Sequence, residues 1–162
     1  MGIKKAMLFI VALVMLAFFY VSLFNSPKVL AIHGPETKKD LLVENIPFSD
    51  SDKIKWWENN GVKTISSSET YNVSVWKFDG KYQKLASKNA GAFPDHDTDY
   101  LLCFDDMKSD DNCIDKSSWI MDITKTKDGY TYYRLDGESY YRKPSGELVK
   151  GERFTTTIRP VS

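Results

Sequence analysis

The stretch C-F-D-D-M-K-S-D-D-N-C, residues 103–113, gathers the densest set of chemically capable side chains in the chain. It holds both cysteines and places Asp105, Asp106, Asp110 and Asp111 between them. Three chemistries compete for it. A calcium loop wants oxygen donors at alternating positions and a glycine at the tight turn. Here the aspartates sit in adjacent pairs and no glycine lies between the cysteines. Zinc would need both thiolates together with His33 and His96, at a spacing that matches no ligand pattern. Acid catalysis by a carboxylate needs a raised pKa, which a hydrated loop does not supply. Metal and catalytic roles are therefore set aside, and no cofactor is expected. Asp105, Asp106, Asp110 and Asp111 stand instead as candidate partner-binding residues.

Other catalytic patterns are weaker. Ser74 and Lys77 match S-x-x-K, but in a strand they face opposite sides. His96 lies among carboxylates in Pro-Asp-His-Asp-Thr-Asp without a nucleophile placed to use it. There is no G-x-S-x-G, P-loop, G-x-G-x-x-G or H-E-x-x-H. The chain reads as a non-enzyme.

The elements that must carry these residues begin with residues 6–24, nineteen positions without a charge. At about 1.5 Å per residue a helix of that length spans roughly 28 Å, close to a bilayer's hydrocarbon core. The expectation is a short cytoplasmic start at 1–5, a transmembrane helix at 6–24, a linker at 25–27 and an exported domain at 28–162. Lys4 and Lys5 flank the run on its amino-terminal side, which puts that end in the cytoplasm and the rest in the periplasm. Cleavage after Ala31, where small residues would suit a signal peptidase, is the rival. In an exported domain an even cysteine count reads as a disulfide, Cys103 to Cys113.

Composition narrows partners. With Lys4 and Lys5 removed, 20 basic residues face 22 acidic ones, which argues against nucleic acid. Between Asp95 and Asp122 there are nine aspartates and two lysines, so one side of the fold is acidic and suited to a basic protein.

Downstream, K-V-L-A-I-H at 28–33 reads as a strand, followed by a second extended run at Leu41 to Val43. Ser49 with Asp52 three residues on resembles a capping box, and Asn60-Gly61 stops the short helix between them. Trp56 and Trp57 on that helix cannot point the same way. Either one lies in the core and the other is a candidate binding anchor, or both lie against the sheet or the membrane surface. T-Y-N-V-S-V-W-K-F, 70–78, alternates as a strand. The carboxy-terminal part reads as a meander with turns at Asp128-Gly129, Asp136-Gly137 and Ser145-Gly146. Its tyrosines Tyr132, Tyr133, Tyr140 and Tyr141 suit a pleated surface. The fold class expected is α+β, mostly antiparallel β with one short helix, preceded by the transmembrane helix.

L-L-V-E-N-I-P-F-S-D-S-D-K-I-K-W-W-E-N-N at 41–60 and L-L-C-F-D-D-M-K-S-D-D-N-C-I at 101–114 resemble an uncharacterised enterobacterial family of membrane proteins, the domain of unknown function 943. The likeness extends over most of the length and weakens at 61–99 and after Lys150. It implies a single amino-terminal membrane helix and a β-rich exported domain. It supplies no catalytic residues.

The function expected is protein binding without catalysis at the bacterial inner membrane. Its most concrete form is an immunity or inhibitor protein against a secreted toxin. The lipid bilayer, through residues 6–24, and an unidentified protein are the expected partners. The alternatives are an accessory subunit of an envelope complex docking through its membrane helix, and a small periplasmic hydrolase.

Overall fold

The computed structural model describes residues 7, 10–16, 26–65, 68, 70–85 and 100–151. His96, the Pro-Asp-His-Asp-Thr-Asp stretch and the end of the carboxy-terminal meander beyond Gly151 lie outside them. Among the described residues ten strands form two sheets. The larger contains β1 (Lys28–His33), β2 (Lys38–Glu44), β3 (Asn72–Lys77), β7 (Trp119–Lys125), β8 (Thr131–Leu135), β9 (Ser139–Arg142) and β10 (Leu148–Lys150), side by side in that order. The smaller contains β4 (Gln83–Lys84), β6 (Asp111–Asp115) and β5 (Leu101–Cys103). The helix α1 (Asp50–Asn59) and a 3₁₀ turn (Gly61–Thr64) connect β2 to β3.

This corrects the expected fold class. Among the described residues no helix is long and apolar enough to cross a membrane. Among the described residues of the amino-terminal segment, Met7 and 10–16 are helical. The large sheet is mostly antiparallel, as expected, with one parallel pair. β2 and β3 run parallel, because α1 carries the chain back across the sheet before β3 begins.

Each element follows from local chemistry. Ser49 caps α1, its hydroxyl accepting from the Asp52 N–H at 3.2 Å and donating to the Asp52 carboxylate at 2.6 Å. The meander turns at Gly129 (φ 87°) and Gly146 (φ 89°), a backbone region that glycine enters without a Cβ clash. In β2, Leu41, Leu42 and Val43 are all fully buried, because each face of this strand is covered by a different layer.

Alternation sorts the large sheet into two faces. On one face Leu41, Val43, Val73, Val75, Met121, Ile123, Tyr133 and Leu135 pack against Ile54, Trp56 and Trp57 of α1. On the other, Leu42, Ala31 and Trp76 meet Phe78, Phe104, Ile114, Tyr82 and Leu102 beneath the small sheet. Full burial of one such aliphatic side chain contributes about 1.5–3 kcal/mol before entropic costs. The small sheet covers only the β1–β3 end. Over β7–β9 the same face carries polar and aromatic rows.

Trp56 and Trp57 correct another expectation. Both are buried, at 8% and 5% exposure, so neither is free to serve as an exposed anchor. Adjacent helix positions diverge, yet the chain turns sharply at Gly61 and brings the end of the helix down over both rings. A Cβ on Gly61 would stand 2.7 Å from Trp57 Cε3 and 3.4 Å from Trp56 Cη2, so the absent side chain is what lets both indoles close there.

Strand registers define two poles. Lys28 aligns with Glu44, and β3 ends alongside at Lys77. These residues, with Trp119, Leu135, Ser139 and Lys150 at strand ends, form the proximal pole, where residues preceding β1 reach the domain. His33, Lys38, Asn72, Lys125, Thr131 and Arg142 form the distal pole.

Candidate functional site

Cys103 and Cys113 face each other directly in the β5–β6 register, with Cα atoms 3.9 Å apart, and are joined by a disulfide. The segment between them is fixed from inside. Phe104 turns inward to 4% exposure and stacks on the His33 ring, centroids 4.1 Å apart. Its N–H donates to the Asn112 carbonyl at 2.9 Å, and the Asn112 amide donates back to the Phe104 carbonyl at 3.1 Å.

Asp106 closes the anchor. Its carboxylate accepts from His33 Nδ1 at 3.0 Å and from the Gly34 N–H at 3.3 Å. A carboxylate only accepts, so Nδ1 carries the hydrogen. In the neutral ring His33 Nε2 then accepts from the Tyr82 hydroxyl at 2.7 Å. The Asp–His–Tyr series shares the connectivity of a nucleophile triad, with the phenol in the place of the hydroxyl. Burial, aided by the charge of Asp106, raises the Tyr82 pKa, so the phenol keeps its proton and donates it toward the imidazole. The bonds fasten the acidic loop to β1 across the two sheets.

The four loop aspartates therefore divide. Asp106 is an anchor. Asp110 pairs with Lys84 at 3.1 Å, both side chains largely in water. Asp105 and Asp111 are exposed and make no ion pair among the described residues. The loop lies at the distal pole, beside His33 and Gly34. No group of three or more His, Cys, Asp or Glu side chains among the described residues is arranged to hold a metal ion. Zinc ligation by Cys103 and Cys113 is ruled out while their sulfurs are bonded to each other.

Sequence reasoning missed the other polar constellations. Glu58, near the end of α1, accepts from the Tyr133 hydroxyl at 2.8 Å and from both Nε and Nη2 of Arg142. Burial, the first cause, and the Glu58 carboxylate raise the Tyr133 pKa, while the Glu58 bond raises that of Arg142. On the open face, Asp40 accepts from Trp76 Nε1 at 2.8 Å, and Asp122 accepts from Trp119 Nε1 at 3.0 Å. Arg134 pairs with Asp122 and lies over the Trp119 ring, 5.3 Å from its centroid. A depression of about 500 Å³ opens here, lined by Trp76, Lys116, Trp119, Arg134 and residues 135–139. Beyond it, Tyr130, Tyr132 and Tyr141 form a cluster with centroids 5.9–6.3 Å apart. The meander tyrosines thus split by parity: Tyr133 and Tyr140 face the helix, Tyr132 and Tyr141 the open side. The only sequence signal was that alternation. His33 and Asp106, 73 residues apart, left none.

A disulfide-stapled, two-sheet β domain with an acidic loop displayed at one pole is the class that fold and site define. The family described as "Enterobacterial putative membrane protein (DUF943)" matches residues 3–152, and the chain belongs to it. No curated protein and no solved structure matches the chain significantly.

Proposed function

We propose that this chain is a non-enzymatic protein-binding component of the cell envelope, its β domain lying on the oxidising, periplasmic side of the inner membrane. The concrete form is an immunity or inhibitor protein that captures a basic, secreted toxin. The observation that carries the reading is the pinned acidic loop. The disulfide, the Phe104–His33 stack and the Asp106 anchor hold it rigid, while Asp105 and Asp111 stay open to solvent. A preorganised loop loses little entropy on binding, and clustered negative charge speeds encounter with a positive partner. The disulfide supports the periplasmic side, since cytosolic thiols stay reduced. Membership in a membrane-protein family supports placement at the envelope.

The experiment is photo-crosslinking in living cells, with the reactive residue at position 105 and, as a control, at Lys127 in the β7–β8 hairpin. A protein adduct is expected at 105 and not at 127. Asp111→Lys should abolish it. An adduct indifferent to that reversal would remove the loop from recognition. A captured partner that does no harm when produced alone in the periplasm would refute the immunity form and leave binding intact.

A further inference from the structure

Phe48 is fully exposed, at 100%, the most extreme of the large apolar side chains among the described residues. Its position makes this unusual. It immediately precedes Ser49, the N-cap of α1. An apolar residue there commonly packs on the fourth helical residue as a hydrophobic staple. In this chain that residue is Lys53, whose amine pairs with Asp50 at 3.0 Å. The structural role is therefore unfilled, and Phe48 projects outward with none of the described residues beneath it.

The loop that carries it, residues 45–49, is built to do this. Asn45 adopts φ 55°, a left-handed turn that swings the chain out as β2 ends. Ile46 then tucks against the core as a peg. Pro47 stiffens the segment between peg and tip. Outward presentation of Phe48 is thus held by backbone geometry on one side and by the capped helix on the other.

The loop also sits at the proximal pole. It follows Glu44 directly, and Glu44 aligns with Lys28, the first residue of β1. Through Lys28 the chain connects back to a segment whose described residues Ile10, Val11, Leu13, Val14, Met15 and Leu16 all expose apolar side chains, at 53–67%. Leu30, on the irregular step of the same edge strand, is exposed as well. Lipid is the environment that suits apolar groups presented outward on the side of the domain that receives an exposed apolar segment. A phenyl ring is favoured in the interfacial zone of a bilayer, where it leaves water without reaching the hydrocarbon centre.

We propose that Phe48, on the loop 45–49, is a membrane-contact site that seats the β domain against the interfacial zone of the bilayer. The seat orients the domain, turning the proximal pole to the lipid and the acidic loop at the distal pole outward. The inference goes beyond partner binding and stands or falls separately from it.

The test uses the full chain in proteoliposomes of phosphatidylcholine, with a nitroxide on Phe48→Cys or, as a control, on Lys127→Cys at the distal hairpin. The native cysteines stay in their disulfide. Collision with oxygen, which partitions into lipid, is compared with collision with a neutral nickel chelate, which stays in water. The expected result is an oxygen-to-nickel ratio at position 48 severalfold above that at 127. Equal ratios would overturn the proposal. Low collision with both probes at position 48 would also overturn it, since that signature means cover by protein, such as a second copy. Because Phe48 has none of the described residues beneath it, both labelled chains should unfold at the same urea concentration as the unlabelled one.

Discussion

Replacing Glu58 by alanine tests how the helix is tied to the sheet. The carboxylate is about a quarter exposed and receives three donors, the Tyr133 hydroxyl and two nitrogens of Arg142. The change orphans the hydroxyl of Tyr133, which is 2% exposed, and an unsatisfied buried donor costs about 1–3 kcal/mol. The Arg142 guanidinium is 30% exposed and returns partly to water, so its lost pairing adds only about 0.5–1 kcal/mol. Together these give about 3 kcal/mol, which for a domain of this size lowers Tm by about 8–12 °C. Glu58→Gln keeps an oxygen for Tyr133 and loses the ion pair, and should cost about 1 kcal/mol. Urea unfolding of the full chain in mild detergent, followed by tryptophan emission, is the assay, because Trp56 and Trp57 precede Glu58 on the same helix. In a double-mutant cycle, Glu58→Ala with Tyr133→Phe should fall short of additivity by about 1 kcal/mol. A Glu58→Ala protein within about 0.5 kcal/mol of the original would refute the reasoning, being no more than an ordinary surface substitution costs.

Three further outcomes are expected. Replacing both Cys103 and Cys113 by alanine should cost about 2.5–3 kcal/mol by loop-closure entropy, read as a lower urea midpoint, and should free the acidic loop to proteolysis. Gly61→Ala should cost about 1–3 kcal/mol through overpacking against Trp57, seen in the same unfolding assay with a changed emission maximum. Hydrogen bonds from Ser117, side chain first and backbone second, hold the Asp115 carboxyl below the usual range. A folded-state pKa lowered in this way gives stability that is present above about pH 4 and lost as pH falls through the folded value. The stability difference between the original and Asp115→Asn should therefore shrink on acidification, and a difference that grows would contradict the assignment.

What could be read from the sequence was local. The Ser49–Asp52 cap, the glycine turns of the meander and the Cys103–Cys113 pairing each depend on residues close in the chain. Their chemistry is the same before and after folding. The parallel β2–β3 pair was not legible, because nothing in either strand records that α1 returns the chain to the same edge. The burial of both Trp56 and Trp57 hinged on the missing Cβ of Gly61, which in the sequence reads only as a helix stop. Asp106 read as one more solvated aspartate, although His33, 73 positions earlier, makes it an anchor. Glu58 and Arg142, 84 apart, escaped for the same reason. The uncharged run at 6–24 fitted a bilayer by length alone, and among the described residues no helix is long and apolar enough to cross one.

The measurement closest to the centre of this account is the state of the two thiols in intact cells. Cells are treated with a membrane-permeant, mass-tagging maleimide before and after reduction, and the tags on Cys103 and Cys113 are counted by mass spectrometry. A β domain in the periplasm, stapled as described, takes no tag before reduction and two after it. Two tags without any reductant would mean that the domain resides in a reducing compartment, with its acidic loop unpinned and out of reach of any secreted partner.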